Sequence, residues 1–590
     1  PNEVTDRPAV AQAAAKALGV PAARLRRALR GRKYIYYHGP FTATQVEPLR
    51  GLRGVHIEGH FLRFYPSREL ARPIIGALDP DSARGASGLE LALDTVLTGE
   101  PGEAVVLKDH RGRRYDSPSR LVRDPVPGHE VVLTIDAQLQ EIAERALGDA
   151  IDQLNADGGD VVVLDPRTGE LLALASRQRN GMRAGVFTDT YEPGSTFKLF
   201  AAASLLAHGK VKPDDRVDLE GGRWLMPVNS KGRTRRIEDS HPEDGIVTLA
   251  EAIQVSSNVG TVKFALRLTP EEQWGTLRDF GFGSPTGVEF PSESRGRLAP
   301  PDRWVNQEYT RGSLAMGYEI GVTPIQLAAA YGALANDGIL LTPTLVREIR
   351  SADGELLYRH QPEPVRRAVS PEIAAQLREL LKGAAGEGGT GEKAQLRNYT
   401  LYGKTGTAVR NFGGRYVRGE YTASFAAIFP GDRPEVVIVV KIDSPREGSY
   451  YGGQAAAPVT RAILEQGLAS RRLVVPPLRG APADTGDVRL ADRRGTPAGL
   501  GATEAEASEP AARGVAPVVL PWPLPPKDTA ARATAEVPDV VGQPARQALH
   551  ALHRRGFRVA LEGTGVVGRI EPAAGATLPA GSTVTIWTNP

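Results

Sequence analysis

Between about Arg471 and Glu536 the chain loses hydrophobic periodicity and fills with proline, alanine and glycine, in runs such as APADTG, GTPAGLGATEAEASEP and LPWPLPP. A segment of this composition buries too little apolar surface to offset its own ordering, so it reads as a linker, semi-extended where the prolines cluster. It divides the 590 residues into separately folded parts. Length agrees, because domains of about 100–200 residues are usual and a chain this long holds three or more. The apolar fraction of 41% and charged fraction of 24% are those of globular parts with real cores.

Lys and Arg number 72 and Asp and Glu 69, a formal net charge of +3 that supplies no basic field for nucleic acid. Nucleic-acid binding is set aside. Cysteine is absent, which excludes thiol catalysis, Cys-based zinc sites and disulfides, and fits an exported bacterial protein. No apolar run approaches the length of a membrane helix; Val436–Val440 is strand-length and bounded by charge. The chain opens at Pro1 without an initiator Met or a leader, and the expectation is a trimmed start with an anchor lost upstream.

A second boundary falls near Asp124–Gly128 (DPVPGHE). After it, VVLTID reads as a strand, Ala137–Ala150 as an amphipathic helix, and GGDVVVLDPRTGELLALAS as a hairpin turning at Pro166–Gly169. Helices and further strands follow to Leu468, an α+β mixture. Upstream, residues 1–127 mix helical segments such as Pro8–Leu18 with short strands and carry no catalytic constellation. Downstream, residues 537–590 read as a compact α/β module, with Ala548, Leu549 and Leu552 on the apolar face of its helix. The expected plan is 1–127, 128–470, the linker 471–536, and 537–590.

Three short motifs carry chemistry. Ser195-Thr196-Phe197-Lys198 precedes the helix-forming run LFAAASLLAHG, so Ser195 is expected in its first turn with the Lys198 amine beside it. A serine hydroxyl needs a base, and a desolvated lysine near a second cation is neutral enough to serve. Alone, Ser-x-x-Lys is weak, since on the order of one or two chance matches arise in a chain this long. Ser256-Ser257-Asn258 ends a helical run; taken by itself it reads first as a helix-capping cluster, and second as a hydroxyl and a carboxamide entering one site from a short loop. Lys404-Thr405-Gly406-Thr407 lies among β-formers. Strand alternation turns Lys404 inward and sets Thr405 and Thr407 on the opposite face, with Gly406 admitting a close neighbour; convergence of all three side chains on one ligand needs a twist or bulge. A phosphate-loop reading of Gly403-Lys404-Thr405 fails, because Asn398 stands where that motif needs glycine.

The joint occurrence in this order is far more specific than any member, and it is the motif set of penicillin-binding proteins and serine β-lactamases. From about Val131 to Leu468 the chain resembles the transpeptidase domain of class B penicillin-binding proteins, also in YEPGSTFK, SSNVGTVK, AMGYEIGVTPIQLAAAYGALANDG and YTASFAAIFP. GVHIEGHFLRFYPSRELARPIIGAL and SGLELALDTVLTGEPG resemble the pedestal domain of that class, and VPDVVG to the C-terminus is similar to a single PASTA repeat. The implied fold is multidomain α+β: a transpeptidase domain like that of the serine β-lactamases, behind a pedestal and ahead of a small α/β PASTA module.

The resemblance implies that the penultimate D-Ala of a stem peptide acylates Ser195, with Lys198 as base. It implies Ser256 as proton relay, Asn258 as holder of the peptide amide, Lys404 as tuner of the local field, and Thr405 and Thr407, flanking Gly406, as the carboxylate site. Backbone N–H groups of Ser195 and Thr407 would form the oxyanion hole, and a neighbouring stem's amine would complete the cross-link. No cofactor or metal is implied. Implied partners are peptidoglycan stem peptides, β-lactams, a SEDS-type glycan polymerase and division proteins, with membrane attachment through an N-terminal helix missing from this chain and septal synthesis as the favoured role. A D,D-carboxypeptidase, a β-lactamase and a non-catalytic sensor of β-lactams or muropeptides are the alternatives. No Glu-x-x-Leu-Asn follows Asn258 to supply a class A deacylating base.

Overall fold

The computed structural model describes the chain except residues 1–3, 31–34, 38–40, 58–62, 80–81, 105–106, 109–113, 116–120, 180, 182, 229–231, 476–533, 544–547, 549–550, 553–554, 556, 564, 580–581 and 590. Two compact units result, Pro1–Val518 and Val519–Pro590. Most of the expected linker, 476–533, and position 549 of the last module lie outside the described residues.

The first unit is organised around a five-stranded antiparallel sheet. Its strands are β1 (Gly158–Leu164), β2 (Leu171–Gln178), β3 (Tyr402–Phe412), β4 (Arg415–Phe429) and β5 (Val436–Asp443), in spatial order β3-β4-β5-β1-β2. β1 and β2 are the expected hairpin. β1 and β5 are buried along their whole length, as central strands covered on both faces must be.

Helix α1 (Ala137–Gln153) covers one face, extending one turn past the expected end. The Asp136 carboxylate caps it, accepting from the N–H groups of Gln138 and Leu139. Leu139, Ile142 and Leu147 of α1 pack against Val161, Val163, Ile438 and Val440 of the sheet. Leu473 and Val475, which composition alone places in the linker, are buried in this same cluster. The proline and arginine content around them hides two anchoring aliphatics.

On the other face, α2 (Lys198–Ala207), α3 (Leu249–Gln254), α4 (Asn258–Ala265) and α5 (Pro324–Ala335) form a helical layer, and α5 is buried at every position. Phe197, Phe200, Phe282 and Tyr331 interlock there with ring centroids 4.9–5.7 Å apart. This aromatic block sits directly under the start of α2.

The N-terminal part contains a helix at Arg7–Leu18, capped by Asp6 with Pro8 in its first turn, and short paired strands. It joins the catalytic part through the Ala71 backbone N–H, which donates to Glu144 of α1 at 2.8 Å. Among the described residues no helix is long and apolar enough to cross a membrane. The second unit pairs Arg558–Glu562 and Val566–Glu571 with Thr583–Asn589, over a core that includes Ala548, Leu552, Phe557 and Ile586.

Candidate active site

Ser195 lies in a 3-10 turn, Gly194–Phe197, that leads into α2, rather than in the first turn of the α-helix itself. Gly194 at φ +55° tightens the chain here, and a side chain at that position would press on the Thr407 carbonyl. The turn is locked from below: Tyr331 donates its hydroxyl to the Thr196 carbonyl at 2.8 Å, and the Gly194 N–H donates to the Gly317 carbonyl at 3.2 Å. The Ser195 side chain is half-buried, and among the described residues its hydroxyl has no hydrogen-bond partner.

Lys198, the first residue of α2, is fully buried. Its amine is turned on Ser256, donating to the carbonyl and lying 3.4 Å from the hydroxyl, and no hydrogen bond joins it to Ser195. Ser256 occupies the break between α3 and α4 with φ +61°, a conformation costly for a residue with a Cβ. That kink presents both of its oxygens to the lysines. From the edge strand β3, Lys404 reaches across and donates to the Ser256 hydroxyl at 2.7 Å.

Two buried amines therefore share one serine hydroxyl, and neither makes an ion pair among the described residues. Burial pushes the Lys198 amine down to about 7, against an opposing pull from the Asp239 carboxylate. Burial, reinforced by the Lys198 charge, holds Lys404 well below the ordinary lysine range. With its pKa near 7, a large fraction of the Lys198 amine is neutral at neutral pH and can take a proton.

Asn258 opens α4 and donates its carboxamide N–H to the Glu238 carbonyl at 2.6 Å. Asp239, which no sequence pattern singles out, holds this corner. Its carboxylate accepts from the Ser257 hydroxyl at 2.7 Å, from the Val259 N–H at 3.0 Å and from the Asn258 N–H. It completes an N-terminal cap that Ser257 begins by accepting from the Gly260 N–H.

β3 pairs with β4 residue for residue from Tyr402 to Val409, with its register break only beyond Val409. No bulge interrupts the Lys-Thr-Gly-Thr motif, so alternation holds. Lys404 faces Ser256, while the Thr405 hydroxyl lies 2.6 Å from that of Thr390, and the Thr407 hydroxyl accepts from the Gly452 N–H at 3.1 Å. Gly406 is required: a Cβ there would come within 2.4 Å of the Ser424 hydroxyl and 2.7 Å of the Pro193 carbonyl. Beside these threonines stands an aromatic wall that sequence reasoning missed, with Tyr421 stacked on Tyr450 at 4.1 Å and Tyr451 tilted against Tyr450 at 4.5 Å. Thr390, Gly452 and these tyrosines come from distant segments with no common pattern.

The arrangement is a half-buried, uncommitted serine on a rigid turn, a buried lysine pair of lowered proton affinity around a second serine, and a strand edge bearing two threonines. It defines a serine acyltransferase of the penicillin-interacting class. Family models agree in three places: a penicillin-binding protein transpeptidase domain at residues 159–465, a penicillin-binding protein dimerisation domain at 42–133, and a PASTA domain at 535–590. The chain belongs to the class B penicillin-binding proteins, the serine D-Ala-D-Ala transpeptidases of peptidoglycan.

It is similar to the probable peptidoglycan D,D-transpeptidase PbpC of Pseudomonas aeruginosa, 33% identical over 488 residues, 80% of this chain and 82% of the relative. The peptidoglycan D,D-transpeptidase FtsI of Escherichia coli is 32% identical over 488 residues, 79% of this chain and 78% of that protein. Among solved structures, penicillin-binding protein 3 of Mycobacterium tuberculosis complexed with ampicillin superposes with a TM-score of 0.61 at 31% identity, covering 71% of this chain and 92% of that one.

Proposed function

We propose that Ser195 is the acylated nucleophile and that neutral Lys198 takes its proton as the Ser195 oxygen attacks the carbonyl of the penultimate D-Ala of a stem peptide. The C–N bond to the terminal D-Ala then breaks, and the leaving amine takes a proton delivered through Ser256 from the lysine pair. An amine of a second stem peptide attacks the ester, restores the Ser195 hydroxyl and leaves the cross-link. Thr405 and Thr407 hold the substrate carboxylate across Gly406, Asn258 holds the peptide amide, and backbone N–H groups of Ser195 and Thr407 receive the oxyanion. The observation that carries this reading is the meeting of the Lys198 and Lys404 amines on the Ser256 hydroxyl. It supplies a base and a proton path without any carboxylate in the relay.

β-Lactams would enter the same site as acylating analogues; the tuberculosis protein is complexed with ampicillin. The single PASTA module behind a long linker resembles the arrangement in division and sporulation members, which favours septal synthesis alongside a SEDS-type polymerase and other division proteins, with attachment through a membrane helix upstream. Intact-protein mass spectrometry after benzylpenicillin addition tests the core of the reading. One adduct mapped to Ser195 and lasting many minutes is expected, absent in Ser195→Ala, together with acyl transfer from a stem-peptide thioester to a D-amino acid. Rapid release of hydrolysed drug would instead indicate a β-lactamase, transfer to water alone a carboxypeptidase, and a stable adduct without turnover of any donor a sensor.

A further inference from the structure

Among the described residues three lysines are buried, and the third, Lys441, has no part in the chemistry assigned to Lys198 and Lys404. Unlike them it is paired. Its amine donates to Asp160 at 2.7 Å and to Asp443 at 2.6 Å, and both carboxylates are themselves buried. Ser176 donates its hydroxyl to the other oxygen of Asp160 at 2.7 Å. Burial opposes the charge of the Lys441 amine, but the two carboxylates outweigh it and raise its pKa above the ordinary lysine range. An amine held protonated in this way is no base. Stability gives little reason to keep such a trio, because apolar residues of the same volume often serve as well or better.

Register sets Gly406, Ser424, Lys441, Asp160 and Ser176 side by side across β3, β4, β5, β1 and β2. Directly paired residues share a face, and Gly406 lies two residues from Lys404, so the row crosses the face that carries the active site. The chain leading to Ser195 lies over this row. At the β3 end a Cβ on Gly406 would come within 2.7 Å of the Pro193 carbonyl. In the middle the Lys441 amine stands 5.6 Å from the centre of the Tyr191 ring, within cation–π range. At the β2 end the Ser176 hydroxyl accepts from the Val186 N–H at 3.2 Å. The Tyr191 backbone also pairs with Val322 in both directions, at 3.0 and 2.9 Å. A one-residue slip of β5 would turn the Lys441 amine into the aliphatic layer under α1, so the same charges fix the register of the row.

We propose that Lys441 is a positioning residue for acylation: paired with Asp160 and Asp443, it presents a fixed cation to Tyr191 and so pins the segment 191–194 that holds Ser195 in place. This deepens the reading of Ser195 as nucleophile and rests on it for the reaction. The test is the full chain carrying Lys441→Met, Asp160→Asn and Asp443→Asn together, which removes all three charges at similar volume. Its melting temperature should stay near the parent's. With benzylpenicillin, the dissociation constant of the initial complex should hold while the maximal acylation rate falls roughly tenfold or more, because the threonine site is untouched and the nucleophile is misplaced. Hydrogen exchange at the Tyr191 and Gly194 amides should quicken, and exchange in α1 should not. Tyr191→Leu, which leaves the three charges in place, should reproduce both changes, and combining it with the triple replacement should add little. A folded triple variant with the parental acylation rate and exchange overturns the assignment, as do losses that add in full when combined. If the triple variant fails to fold, Tyr191→Leu alone decides, and a parental rate and exchange there overturn the assignment. If the parent itself is not acylated at Ser195, the nucleophile reading fails, and exchange at the two amides still decides whether Lys441 pins the segment.

Discussion

The Lys404 amine and the Ser256 hydroxyl lie 2.7 Å apart although 148 residues separate them in the chain. Through that contact β3 and the break between α3 and α4 enclose the Lys198 amine on two sides. Enclosure removes water from two cations at once, which is why burial dominates both of their titrations.

A pH dependence arises from Lys198. With its folded pKa near 7 the amine is the competent base above that pH, so the second-order rate of acylation by a fluorescent penicillin should rise as pH passes upward through about 7 and fall below it. Lys198→Ala should slow acylation about 10²–10⁴-fold, the usual loss for a positioned base. A flat profile between pH 5.5 and 8.5 would contradict a lysine base.

The same group tunes stability. Unfolded lysine keeps its proton to about 10.5, while folded Lys198 loses it near 7, so between these values the unfolded state binds more protons and stability rises with pH. Lys198→Met removes that term. In urea titrations its gain over the parent should be largest below pH 7 and shrink toward zero as pH approaches 10.5; a gain independent of pH would show that Lys198 is not desolvated as described.

Asp239 acts through the cap it gives α4, not on substrate. Asp239→Ala removes three hydrogen bonds to a carboxylate and should lower stability by about 2–4 kcal/mol. Because Asn258 then loses its fixed position, KM for a peptide donor should rise more than kcat falls. Asp239→Asn, which keeps one acceptor, should recover part of both. Unchanged KM in a destabilised protein would limit the residue to folding.

Gly406→Ala forces a methyl against the Ser424 hydroxyl and the Pro193 carbonyl. Pro193 begins the turn that carries Ser195, so overpacking should cost about 1–3 kcal/mol and displace the nucleophile from β3. Melting temperature and penicillin acylation should fall together. Normal acylation in a folded variant would show that β3 and the turn can separate without loss.

Two truncations distinguish the catalytic core from the C-terminal segments. Ending the chain after Val475 keeps Leu473 and Val475 in their cluster and should leave acylation of Ser195 unchanged, since every residue of the site precedes that point. Ending it after Leu468 strips both aliphatics from the core and should destabilise by roughly 2–5 kcal/mol. Chemical denaturation and acylation rates of the two proteins check this, and equal stability would place Leu473 and Val475 outside the folding unit.

Local pattern determined much of this protein. The spacing of Leu139, Ile142 and Leu147 marks α1, Pro166–Gly169 marks the hairpin, and Ser195, Lys198, Ser256, Asn258, Lys404, Thr405, Gly406 and Thr407 stand out as motifs because each depends on neighbours a few residues away. Alternation alone even fixed which face of β3 carries Lys404. Tertiary structure decided the rest: that Lys198 turns to Ser256 rather than to Ser195, that Asp239 caps α4, that Thr390 and Gly452 flank the threonines, and that Leu473 and Val475 belong to the core. The reason is physical. Desolvation and the pairing of polar groups depend on which distant segments exclude water from a given atom, and that is set by the packing of sheet and helices, not by the order of neighbouring residues.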